Sequence, residues 1–127
     1  MRAASLVVFA VLALPSAALA DKSFSGSKGG TWDCKSDGVV VITGSNAKFT
    51  FKGDCKSISV TGGHNTLAIE SVGSLDITGA SNAVSVDALD ALNINGASNK
   101  VTWKKGKSSA APQVSQLGQN NSIKQGG

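Results

Sequence analysis

The 127-residue chain contains no tyrosine, one histidine, two cysteines and two prolines, and its single arginine is Arg2. Each scarcity excludes something. Guanidinium groups are the usual bidentate readers of phosphates and of guanine edges, so a chain with none beyond residue 2 is ill equipped for sequence-specific nucleic-acid recognition despite a pI near 9.3. With His64 as the only histidine, and with neither a zinc spacing nor a calcium-binding nonapeptide repeat, no metal and no cofactor is expected. No uninterrupted apolar run reaches the about 18 residues that a membrane-crossing helix needs, so no transmembrane span is expected.

What is present falls into two unlike parts. Sixteen of the first 20 residues are apolar, against 36 of the 107 that follow. Arg2, an apolar run from Ala3 to Leu14, the helix-breaking Pro15 and the closing Ala18-Leu19-Ala20 have the layout of a secretory signal peptide cleaved after Ala20. The expected protein is therefore exported, to the periplasm or beyond, and begins at Asp21.

From Asp21 onward one block recurs: an alternating apolar run, a glycine, small or polar residues, then a second alternating run. The glycines are Gly44, Gly62, Gly79, Gly96 and Gly118, spaced 18, 17, 17 and 22 residues apart. The long last interval holds the polar insertion Lys104 to Pro112. Four and two residues before each glycine stand Val40 and Ile42, Ile58 and Val60, Leu75 and Ile77, Leu92 and Ile94, then Val114 and Gln116. Five and seven residues after it stand Phe49 and Phe51, Leu67 and Ile69, Val84 and Val86, Val101 and Trp103, then Ile123 and Gln125. Cys55, Val72 and Leu89 fill a further slot seven residues before a glycine. Two short strands per block, each with period-two alternation, predict an all-β fold: a β-solenoid of about five coils with a 17–18 residue repeat. A small antiparallel sandwich meets the same turn spacing but does not require one residue type at one offset in every second strand. The expected layout is a signal peptide over 1–20, an N-terminal extension or cap over 21–33, and the repeat domain over 34–127. Trp32, ahead of the repeats, is a candidate N-terminal plug.

Three residues after the glycine stand Asn65, Asn82, Asn99 and Asn121, with Ala47 as the exception. Glycine permits a positive φ, and asparagine tolerates the left-handed region and can bond its own backbone or the same residue one coil away. These turns (G-S-N, G-G-H-N, two G-A-S-N), the pair Cys34 and Cys55 and the closing G-Q-N-N resemble the bacterial family catalogued as domain of unknown function 3060, over about Cys34 to Gln125. The resemblance implies an exported or lipid-anchored repeat protein with no assigned activity, and so brings no catalytic residue. Asp21 stands where the anchored members have a cysteine.

Two cysteines in an exported chain read as one structural disulfide, Cys34 to Cys55, with Cys34 expected one coil before Cys55 in the same inward slot once a small insertion at Lys35 to Gly38 is allowed for. Charge is segregated. Ser57 to Asn99 carries Glu70, Asp76, Asp87 and Asp90 and no lysine, whereas Lys100 to Gly127 carries five lysines and no acid. Basic ends serve anionic polymers or protect open strand edges against end-to-end growth. Catalytic candidates are few: His64 lies in a turn without a nucleophile in a recognisable frame, and Glu70 and Asp87 share an outward slot like the stacked acids of pectin-degrading solenoids. Outward rows of Thr50, Ala68, Ser85, Thr102, Lys124 and of Thr43, Thr61, Thr78, Asn95, Leu117 resemble the flat faces of ice-binding solenoids, and equally suit any wet strand surface. Gln116, Gly118, Asn121 and Gln125 resemble a curlin-type repeat. The expected function is a non-enzymatic binding or structural module of the cell envelope, with envelope polysaccharide or self-association as partner; the alternatives are a self-assembling matrix component and a carbohydrate-active or ice-binding solenoid.

Overall fold

The computed structural model describes residues 21–25, 29–35, 38–108 and 110–126; the expected signal peptide lies outside the described residues. Among these the structure is all-β, with strands β1 (Asp21–Ser25), β2 (Gly30–Asp33), β3 (Gly38–Thr43), β4 (Lys48–Gly63), β5 (Thr66–Ala80), β6 (Ala83–Ala97), β7 (Lys100–Gly106), β8 (Gln113–Leu117) and β9 (Ser122–Gln125). Every pairing is parallel and joins residues one coil apart, so the chain is a β-solenoid of about five turns. One ladder stacks β1, β3, the later halves of β4, β5 and β6, and β8. A second stacks β2, the early halves of β4, β5 and β6, then β7 and β9. A short third side aligns Asp54, Ser71, Ala88 and Lys105, with Cys55, Val72, Leu89 and Gly106 beside them.

The core is the row of alternating side chains. Val40, Ile58, Leu75 and Leu92 form one buried column and Ile42, Val60, Ile77 and Ile94 the next, facing Phe49, Leu67, Val84 and Val101 and then Phe51, Ile69 and Val86. No coil encloses its own apolar residues; stacking at about 4.8 Å does it. Strands β1 and β2 lie in the same register, with Phe24 against Ile42 and Trp32 against Phe51, so they add a rung to both main ladders at that end. Phe24, Trp32, Phe49 and Phe51 interlock there, with ring centroids 4.8 to 6.2 Å apart.

At the corner after the first ladder, Gly62, Gly79, Gly96 and Gly118 take positive φ, and a Cβ on any of them would fall on the carbonyl oxygen of the preceding corner glycine. The left-handed residue that follows is not the repeated asparagine but the one before it: Asn46, His64, Ser81, Ser98 and Asn120 have φ near +60°. The repeated asparagines act through their side chains instead. Asn65, Asn82 and Asn99 are buried, and each side-chain carbonyl accepts the backbone N–H of the equivalent residue one coil earlier, at 3.0 to 3.1 Å. Each amide nitrogen donates to the corner glycine carbonyl of that earlier coil: Asn65 to Gly44, Asn82 to Gly62, Asn99 to Gly79, Asn121 to Gly96. Asn82 and Asn99 also bond to the next asparagine, completing a ladder. Ala47 starts this column: its N–H donates to Asn65, and it has no amide to pass on.

Cys34 and Cys55 are disulfide-bonded, with Cα atoms 5.0 Å apart. The slot opposite Cys55 is held by Gly38 rather than by Cys34 itself. Cys34 follows the strand β2, donating its N–H to the Lys52 carbonyl, and a Cβ on Gly38 would stand 2.9 Å from the Cys34 Cβ. The glycine leaves the room through which the bridge reaches inward.

Candidate functional site

The outward side chains of the first ladder form two adjacent columns. One runs Val41, Ser59, Asp76, Asn93, Ser115; the other runs Thr43, Thr61, Thr78, Asn95, Leu117. Period-two alternation sends them out for the same reason that it sends Leu75 and Ile77 in. Toward the C-terminal end these columns line an open groove of about 410 Å³, bounded by Ser59, Asp76, Thr78, Asn93, Asn95, Ser115 and Leu117. Its polar groups are hydroxyls, amides and one carboxylate, with no lysine among them. Asn93 Nδ2 donates to Asp76 Oδ1 at 2.9 Å, which fixes the carboxylate and leaves acceptor capacity facing solvent. Leu117, 67% exposed, supplies an apolar shoulder.

The acidic pair Glu70 and Asp87 sits on the second ladder. Its neighbours Ile69 and Val86 pair directly, so the two residues hold the same place in adjacent coils, as the repeat implied. Both are engaged: Glu70 accepts the Gly53 N–H at 2.8 Å, and Asp87 pairs with Lys104 at 3.5 Å. A shallow groove of about 150 Å³ runs beside them. His64 lies in its corner, with its backbone N–H bonded to Ala80. The turn residues Gly44, Gly62, Gly79, Gly96, Gly118, Asn65, Asn82, Asn99 and Asn121, and the cysteines Cys34 and Cys55, line none of these grooves. Among the described residues no cluster of metal-binding side chains occurs, and no helix is long and apolar enough to cross a membrane.

One arrangement is not foreshadowed by the repeat. Lys107 and Ser108, directly after β7, are bound to the third side of the solenoid. Lys107 Nζ pairs with Asp54 at 2.6 Å, Ser71 Oγ donates to Asp54 at 3.0 Å, and Ser108 donates to Asp90 through both its backbone N–H and its hydroxyl. Asp54 and Lys105 are three rungs apart in the ladder, so the Lys107 contact crosses the third side from its last aligned rung to its first. The Lys107 side chain holds the Asp54 carboxyl below its ordinary value, with Ser71 assisting, and the Ser108 hydroxyl and N–H do the same for Asp90. The one available signal was the charge pattern: acids without lysines in the centre, lysines without acids after it.

The family comparison agrees with the repeat. A family model described as protein of unknown function (DUF3060) matches residues 42–84 and again 64–120, the two matches overlapping as a repeat allows. No curated protein and no solved structure matches the chain.

Proposed function

The chain belongs to the DUF3060 family of proteins of unknown function, and on that premise we propose that it is an exported, non-enzymatic binding module of the cell envelope. Its ligand in this reading is a neutral, polyhydroxylated polymer such as envelope polysaccharide, held along the groove of the first ladder. The observation that carries the proposal is the groove's lining: Asp76, Asn93 and Asn95 offer both acceptors and donors, Ser59, Thr78 and Ser115 extend them along the stack, and no lysine lines the groove to select a polyanion. Because polar groups recur once per rung, a chain-like ligand meets several weak contacts in sequence, and such contacts add when the ligand is itself a repeat. The absence of catalysis in this reading is supported by the engagement of Glu70 and Asp87 with Gly53 and Lys104. Export is supported by the layout of residues 1–20.

The test is a glycan array followed by titration of the best ligand. Binding to a neutral polysaccharide that falls at least about tenfold in Asp76→Ala and Asn93→Ala supports the proposal. Binding confined to anionic polymers and abolished by moderate salt would transfer the function to the basic ends instead.

A further inference from the structure

At the C-terminal end the two ladders stop on β8 and β9, and among the described residues no strand pairs with their outer edges. Val114 occupies the column of Val40, Ile58, Leu75 and Leu92, all buried, yet it is 45% exposed. Gln116 continues the column of Ile94 and is exposed, and Ile123 is half-buried. The only charge on either strand is Lys124, which projects outward in the row of Thr50, Ala68, Ser85 and Thr102. The opposite end differs. There the column of Val40 continues into Lys22, whose ammonium lies 4.9 Å from the Trp32 ring and 5.5 Å from that of Phe24.

We propose that the C-terminal end docks on the same end of a second copy, β8 adding antiparallel to its symmetry mate in a tail-to-tail dimer. An open strand edge is a template for another strand, and a two-fold operation sets residue i of one copy opposite residue j of the other and j opposite i. Val114 and Gln116 carry no charge, and the amide both donates and accepts, so the two tolerate facing each other where like charges would not. Head-to-tail stacking is disfavoured by the other end: it would bury the Lys22 ammonium against Val114, and neither β8 nor β9 carries an acid to pair with it. A two-fold axis at Ser115 pairs Val114 with Gln116 and Gln113 with Leu117, which keeps every inward residue inward. An end face roughly 17 Å by 10 Å is smaller than a standard interface of about 800 Å² per partner, so the dimer is reversible. Ser115 and Leu117 also line the polar groove, and the dimer brings two grooves edge to edge.

Sedimentation velocity on the protein purified after expression of the full chain, from micromolar to sub-millimolar concentration, tests this. The expected result is a saturating monomer–dimer isotherm whose dissociation constant rises at least about tenfold in Val114→Lys, while Lys22→Val at the other end leaves it unchanged. Opposed residues of an antiparallel pair lie about 4.5 to 5.5 Å apart, within disulfide reach, so Ser115→Cys is expected to give a covalent dimer under oxidising conditions. Should Val114→Lys lower the melting temperature, the Ser115→Cys cross-link decides alone. A monomer at every concentration, open-ended growth, a dimer indifferent to Val114→Lys in a folded chain, or a Ser115→Cys chain that stays monomeric on oxidation overturns the proposal.

Discussion

The two ends of the solenoid are built on opposite plans. The N-terminal end closes its core with Phe24 and Trp32, covers that with Lys22, and fastens the next coil with the Cys34–Cys55 disulfide. The C-terminal end carries the same backbone pairing but leaves Val114 exposed and Ile123 half-covered, and bonds Gln125 Nε2 to the Lys104 carbonyl instead of filling the slot with an apolar group. Identical register with different filling teaches that the hydrogen-bonded ladder alone does not make a core; closure of the apolar column does.

Substitutions at equivalent positions sharpen that contrast. Phe51→Ala, at a fully buried ring of the N-terminal cluster, is expected to destabilise by about 3–5 kcal/mol, whereas Val114→Ala at the open end changes stability by less than about 0.5 kcal/mol. Urea denaturation measures both, and similar losses at the two sites would break the comparison. Cys34→Ser with Cys55→Ser removes the constraint on the unfolded chain and is expected to cost about 3 kcal/mol, read as a lower denaturation midpoint that reducing agent reproduces in the native chain. Asn82→Ala leaves the Asn65 N–H and the Gly62 carbonyl without their partner inside the stack, an expected loss of roughly 2–4 kcal/mol. Asn121→Ala, on the last corner, costs less, because Asn121 is only partly buried and lies at the end of the asparagine column.

The smallest effect lies on the third side. Asp54 and Asp90 both titrate below their ordinary value of 3.8 in the folded chain, so the docking they support is complete above that pH and lost as the pH falls through their lower folded values. Hydrogen exchange at the Ser108 amide should accelerate, relative to the corner amides, in acid or in Asp90→Asn. Equal protection of Ser108 and Asn82 amides across that range would show the insertion to be held by something else.

Much of this was legible from particular residues. The alternation at Leu75 and Ile77, or at Val84 and Val86, declares its own inward face, and the recurrence of Gly62, Gly79 and Gly96 declares the coil length. The asparagines were legible as a column and as a ladder bonding the same residue one coil away, but not in their bonds to the corner glycine carbonyls 20 to 25 residues earlier, and the left-handed conformation belongs to His64, Ser81 and Ser98 instead. Cys34 was legible as a bridge partner with an insertion over Lys35 to Gly38, but not in its position, because Gly38 itself takes the slot opposite Cys55. The groove on the first ladder was visible only as wet strand positions, since nothing local tells which outward columns border a hollow.

The sequence by itself determined the period, the two alternating runs per coil and the sharp corner, because strand alternation and glycine geometry act within a few residues. Only the tertiary structure decided which carbonyl each asparagine reaches, that Lys107 returns to Asp54, and that one end is sealed while the other is open. Those outcomes depend on groups a full coil or more apart in the chain, and stacking, not local preference, brings them within bonding distance.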